Sequence, residues 1–356
     1  ISGITTDNVG GLYIFGAFLN YGDANGDGIV YRNAAGTISS MGSGAAGEVY
    51  TSALGVDNKL YVGGNAPNIG GVAAADYIAS WNGSTWAALQ GGFNGAVTSI
   101  CIDNLGNLYA GGGMGTATTG PITVNNFAKW NGSAWSACGG GTVGVAGGYV
   151  YTLTSLPDNK IVLGGDFTSA GGNTAIDYLA IYDPTANSFS AIGEIPNNKV
   201  WKTLYDKTNG RLYVFGKFTE IGGVSTVGAA YWDGNNWIAM PGFNIGASDG
   251  IALANLGENG TIRVYGNSFT VGSSTFTDTV MEWNGSAWKT VEYENDKDLY
   301  DVFYRKLTNE IVLCGLAAAG STTYTIPAVS TITNGTEGNI YPWVTFDATG
   351  SYVYSL

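Results

Sequence analysis

Asp23-Ala-Asn-Gly-Asp-Gly28 places oxygen-bearing side chains at alternate positions, Asp23, Asn25 and Asp27, and follows them with glycine. This is the first half of an EF-hand-like loop, where alternate oxygens converge on one hard cation, and calcium is the cofactor it would take. The closing acid is missing, because Tyr31 and Ala34 stand at the ninth and twelfth positions. A loop of turn-forming Asp, Asn and Gly explains the same letters. Sequons at Asn82, Asn131, Asn259, Asn284 and Asn334 all have glycine as the middle residue, so they read equally as glycan acceptors and as hairpin turns.

Paired carboxylates could cleave glycosides, but most acids fall in short polar turns, as in Asp57-Asn58, Asp103-Asn104, Asp158-Asn159 and Glu258-Asn-Gly260. The one dense acidic stretch, Glu292, Glu294, Asp296, Asp298 and Asp301, reads as a solvated loop. The chain contains no histidine, which removes Ser-His-Asp and Cys-His nucleophiles, histidine bases and the usual zinc sites. Cys101, Cys138 and Cys314 are far apart, odd in number and set in apolar runs, as small buried hydrophobes would be. With 22 tyrosines and 10 tryptophans, stacking on sugar rings is a further possibility.

A net charge of -13 supplies no Lys/Arg stripe for a phosphate backbone, which argues against nucleic acid and anionic membrane partners. No run of 18 apolar residues is present to insert into a bilayer. Only 12% of residues are charged, so Ser, Thr, Asn, Gly and Tyr must wet the surface, a composition common outside cells. The first residue is Ile1 rather than Met, as in a processed or excerpted polypeptide.

The elements that must position these residues repeat. Apolar runs ending in glycine begin at Leu12, Leu60, Leu108, Ile161, Leu212, Ile262 and Ile311, at intervals of 48, 48, 53, 51, 50 and 49 residues. That period belongs to propeller blades. The third repeat is the template: Val97 to Asp103 alternates as a strand, Asn104 to Asn107 turns, Leu108 to Gly112 forms a second strand, and a polar loop leads to Asn126-Phe-Ala-Lys-Trp130 and a fourth strand through Trp135. The expected fold is all-β, a seven-bladed β-propeller of four-stranded antiparallel blades. Blades cover approximately 1-46, 47-94, 95-146, 147-197, 198-248, 249-297 and 298-344, with 345-356 a closing or overlapping strand.

The hairpins Trp81-Asn-Gly-Ser-Thr-Trp86, Trp130-Asn-Gly-Ser-Ala-Trp135, Trp232-Asp-Gly-Asn-Asn-Trp237 and Trp283-Asn-Gly-Ser-Ala-Trp288 suit a two-residue type I′ turn. In that register Trp81 faces Ser84 and Trp86 faces Ala79, so each tryptophan pair lies diagonally on one face. Two large rings there imply packing against the neighbouring blade. Tyr182 and Phe189 replace the pair in one repeat, and the repeat around Tyr31 has lost it. Ile1 to Asp7 aligns with Val97 to Asp103, and Ser351 to Leu356 also resembles the start of a first strand. Either the ends pair in closure, the favoured reading, or the chain is cut from a longer run of repeats.

Leu156-Pro-Asp-Asn-Lys-Ile-Val-Leu-Gly-Gly-Asp-Phe-Thr-Ser-Ala-Gly-Gly172, followed by Leu179-Ala-Ile-Tyr-Asp183, resembles the delta-60 class of repeats of secreted bacterial proteins. The strand ending in Gly-Gly, then Tyr-Asp or Trp-Asn, then Trp, is similar to kelch and galactose-oxidase-like propellers. The resemblance covers essentially the whole chain and implies the fold more than an activity. The absence of histidine departs from the copper site of the oxidase and removes that activity. The expectation is a non-enzymatic extracellular propeller on a cell or virion surface, binding other proteins of an assembly or serving adhesion. Loops Asn65 to Asp76 and Gly113 to Asn125 are the expected docking elements. A glycan-binding lectin is the alternative, followed by a carboxylate-dependent carbohydrate-active enzyme.

Overall fold

The computed structural model describes residues 2–242 except 21–23 and 145–146. Beyond 242 it describes strands and turns within 251–256, 261–271, 274–290, 297–305, 310–318 and 325–333 and four two-residue strands, with side chains at 261–264 and 281–289. Six sheets consist of four strands in sequence order, a seventh has five, and small two-stranded ladders lie in the connections. The first comprises Gly3–Thr6, Leu12–Phe15, Ile29–Arg32 and Ile38–Ser40. The second comprises Glu48–Leu54, Leu60–Asn65, Ile78–Trp81 and Trp86–Ala88, and the third Val97–Ile102, Leu108–Gly112, Phe127–Trp130 and Trp135–Ala137. The fourth to seventh sheets open with Val150–Ser155, Val200–Asp206, Ile251–Leu256 and Lys297–Arg305. All pairings within the sheets are antiparallel. The first strands of successive sheets neighbour one another in order, and Gly3–Thr6 also neighbours Lys297–Arg305.

The paired glycines that close the second strands have two separate causes. A side chain at Gly63, Gly111 or Gly164 would run into the valine that opens the next sheet, its Cβ lying 2.6 Å from Val97, 2.6 Å from Val150 or 2.5 Å from Val200. A side chain at Gly64, Gly112 or Gly165 would strike the backbone carbonyl of Glu48, Ala96 or Tyr149 in its own sheet. That carbonyl is close because the first strand carries a bulge. The register shifts by one residue there, at Tyr50, Thr98, Tyr151, Trp201, Ala252 and Tyr300, the same place in each sheet.

The tryptophan hairpins correct the expected turn. Trp81 pairs directly with Trp86, Trp130 with Trp135, Trp232 with Trp237 and Trp283 with Trp288, so the loops hold four residues rather than two. Gly83 has φ +98° while Asn82 is not in the left-handed region, which excludes type I′. Asn82 instead uses its side-chain carbonyl to accept the N–H groups of Ser84 and Thr85, at 3.0 and 2.9 Å. Direct opposition still puts both rings on one face, with centroids 5.2 Å apart for Trp81 and Trp86.

Hydrophobic packing lies between sheets. Each of five clusters draws its residues from two consecutive sheets, from the first and second through the fifth and sixth. At the edge nearest the fourth strand, Trp86 Nε1 donates to Met41 O at 2.6 Å, Trp135 to Leu89 O at 2.8 Å and Trp237 to Ile192 O at 2.9 Å, each reaching the preceding sheet. Along the first strands, hydroxyls make the corresponding links. Thr5 bonds Ser52 at 2.6 Å, Thr51 accepts from Ile100 N, Ser99 accepts from Leu153 N, and Thr203 bonds both Thr152 and Thr154. Further along, Tyr352–Val353 pairs with Thr345–Phe346.

Candidate recognition surface

The two ends of the strands carry different chemistry. At one end the described first-to-second-strand turns, those of the first five sheets, are built on Asp7, Asp57, Asp103, Asp158 and Asp206, each accepting from a turn N–H. Asp103, 3% exposed, accepts from Leu105 N and Asn107 N through Oδ1 and from Asn107 Nδ2 and Tyr109 OH through Oδ2. Asp7 is held in the same way by Val9 N, Gly11 N and Tyr31 OH. Burial works against the Asp7 charge, yet the Tyr31 phenol and the backbone N–H groups outweigh it and hold the carboxyl below its ordinary range. Asp57 is also lowered: Lys59 and the Tyr61 phenol overcome its desolvation. These bonds push the Tyr31 phenol up to about 12, and burial with the Asp57 charge takes Tyr61 to about 12.

Capping the turns from beneath leaves their tips outward. Val9, Val56 and Leu105 are 76%, 76% and 74% exposed. Val56 approaches Gly106 of the next sheet, where a Cβ would lie 2.9 Å from its Cγ2. Asn104 ties the following turn in, bonding Asn159 Oδ1 at 3.1 Å and Pro157 O at 3.0 Å. The turns of the second, third and fourth sheets are therefore linked in a row.

At the other end the second-to-third-strand loops turn inward. Ala66, Ile69 and Ala75 of one loop and Met114, Ala117 and Val124 of the other are fully buried. Gly70 and Gly222, at φ +70° and +61°, lie against the indoles of Trp86 and Trp237. The loops named as docking elements thus spend most of their apolar side chains clamping their own sheets. Tyr149, just before the fourth sheet, is 40% exposed, with its ring against Gly113 and its carbonyl accepting from Asp166 N; the Asp166 carboxylate lies 3.6 Å from the Lys199 ammonium.

Of the candidate calcium ligands, Asp23 lies outside the described residues, and Asp27 Oδ1 accepts from Asn20 N at 2.7 Å. Among the described residues no group of three His, Cys, Asp or Glu side chains converges. Asn82, Asn131 and Asn284 occupy exposed hairpin loops with their side-chain carbonyls engaged, while Asn259 and Asn334 lie outside the described residues. Trp81, Trp86, Trp130, Trp135, Trp232, Trp237, Trp283 and Trp288 all belong to the inter-sheet clusters. Burial raises the Cys101 thiol and takes Cys138 to about 12, so both stay protonated. Glu292, Glu294 and Asp296 lie outside the described residues, as do the side chains of Asp298 and Asp301. The bulge aromatics and Tyr149 had no part in the sequence reading. Their only signal was an aromatic beside the valine that opens a first strand.

No protein-family model matches the chain, and no curated protein matches it. Among solved structures it is similar to the crystal structure of the WD40 β-propeller domain of Doa1, at 13% identity and a TM-score of 0.50, covering 87% of this chain and 90% of that one. Repeated four-stranded antiparallel sheets and this likeness define the fold as a β-propeller.

Proposed function

We propose that the chain is a seven-bladed, kelch-like propeller of the delta-60 repeat type that works without catalysis, outside the cytoplasm. It would hold protein partners in an assembly or in adhesion on a cell or virion surface. Support for seven blades comes from the order of the first strands, which returns from the seventh sheet to the first. The observation that carries the function is the exposure of the turn tips. Val9, Val56 and Leu105 stand out from turns whose aspartates are occupied by backbone N–H groups, phenols and amides. Occupied carboxylates make poor acids and bases, whereas exposed apolar tips over hydrogen-bonded carboxylates suit contact with another protein.

The test is cross-linking mass spectrometry of the assembly from the native source, repeated with Val9, Val56 and Leu105 all changed to Ser. A stoichiometric protein partner cross-linked near these turns, and lost from the triple variant, supports the reading. A free monomer in the native source overturns it.

A further inference from the structure

Asn82, Asn131 and Asn284 each precede a glycine in a tryptophan hairpin, and each is exposed. Their carboxamides are folded forward in the same way. Asn82 Oδ1 accepts from Ser84 N at 3.0 Å, Ser84 Oγ at 3.0 Å and Thr85 N at 2.9 Å. Asn131 Oδ1 takes the same three donors from Ser133 and Ala134, and Asn284 Oδ1 takes them from Ser286 and Ala287. An oxygen bonded to the second and third N–H groups ahead lays its own carbonyl carbon over the peptide nitrogen in between, that of Gly83, Gly132 or Gly285. Nothing stands within 4 Å of where a Cβ would be on these glycines, so the approach is open.

This arrangement favours ring closure. Three donors polarise the carbonyl and meet the negative charge its oxygen takes up under attack, while the folded side chain supplies the proximity. Two other Asn-Gly pairs are exposed as well but are turned elsewhere. Asn94 Oδ1 accepts from Gly115 N and Thr116 N, both at 2.9 Å, on a distant part of the chain. Asn209 is drawn backward, its Nδ2 donating to Asp206 Oδ2 at 2.6 Å. Exposure and sequence are shared by all five, so the direction of the carboxamide is what separates them.

We propose that Asn82, Asn131 and Asn284 are self-modification sites that deamidate in the folded protein, with water as the co-reactant. The glycine nitrogen gives up its proton to solvent and bonds to the asparagine Cγ. The Cγ–Nδ2 bond breaks, and the nitrogen leaves as ammonia with a proton from solvent. One water then opens the succinimide at either carbonyl, giving aspartate or isoaspartate with no change of oxidation state. Each event adds a negative charge to a chain already at -13. The fifth sheet carries the aspartate form of this turn. Asp233 Oδ1 accepts from Asn235 N and Asn236 N at 2.8 Å, and Trp232 still pairs with Trp237. The proposal is independent of the protein contact at the turn tips.

The full chain is aged at mildly alkaline pH, and peptide mapping by mass spectrometry follows the gain of about one dalton at each asparagine; a parallel sample is aged unfolded in urea. In the folded protein Asn82, Asn131 and Asn284 should convert about tenfold or more faster than Asn94 and Asn209. In urea all five should fall within about threefold of one another, since only the fold distinguishes them. Ser84→Ala removes one donor to the Asn82 carbonyl and should slow that site by about threefold, leaving Asn131 and Asn284 as internal controls. Asn82→Asp should melt as wild type does, as the turn at Asp233 implies. Equal rates at all five in the folded protein, or hairpin asparagines slower than Asn94 and Asn209, overturn the proposal.

Discussion

Gly70 lies with its bare α-carbon against the indole of Trp86, in the left-handed region at φ +70°, while Gly42 of the preceding sheet approaches the same ring. Gly70→Ala therefore meets two obstacles, the φ and the ring. We expect it to lower unfolding free energy by about 2–4 kcal/mol in urea titrations. Gly83→Ala, at φ +98° with open space around it, should cost about 1 kcal/mol.

Trp86→Phe keeps most of the apolar contact and removes the donor to Met41 O. A loss of about 1 kcal/mol is expected, because the Met41 carbonyl loses the indole but keeps the Gly44 N–H at 3.1 Å. Phe189 holds the equivalent place in the fourth sheet, so the variant should still fold, and chemical denaturation would measure the difference.

Asp103→Asn retains one carbonyl for the turn N–H groups but presents an amide to Asn107 Nδ2 and Tyr109 OH, two former donors. Thermal and urea unfolding should show a loss of about 2–3 kcal/mol. Asp158→Asn, at an exposed turn whose carboxylate pairs with Lys160, should change stability by less than about 1 kcal/mol.

Stability should be nearly flat from about pH 5 to pH 9, since the chain has no histidine to titrate there. Asp7 and Asp57 are lowered in the folded state, so their contribution is complete above the ordinary value of 3.8 and is lost as pH falls through the folded values. Asp177 is raised by desolvation and has the opposite sign, relieving part of the acid loss. On the alkaline side Cys138, Tyr31 and Tyr61 stay protonated to about 12. The unfolded thiol and phenols ionise first, at 9.0 and 10.0, so stability should decline above about pH 9. Melting temperature across this range checks both limbs, and a maximum confined to pH 6–7 would refute the account.

The second strands were legible because an apolar run ending in glycine meets two demands at once, a valine from the next sheet at Gly63 and a carbonyl from its own sheet at Gly64. The shared tryptophan face was legible too, though through the wrong turn. Asn-Gly is a two-residue signal, and the side-chain bonds of Asn82 to Ser84 and Thr85 made the loop longer. The bulges at Tyr50, Tyr151 and Trp201 escaped notice because a one-residue shift scarcely disturbs an alternating pattern. The inward packing of the second-to-third-strand loops could have been found from Ile69, Met114 and Val124, apolar residues inside otherwise polar stretches. Tyr149 is set apart only by its exposure, which a sequence does not display.

The indole bonds from Trp86, Trp135 and Trp237 all point backward along the chain, to Met41, Leu89 and Ile192. During synthesis, each sheet leaving the ribosome would bring the latch for the sheet already made, so ordering can proceed from the N-terminus one unit at a time. A chain truncated after Ala137 and released should already protect its second sheet from a protease, whereas its third still awaits the unit that would lock it.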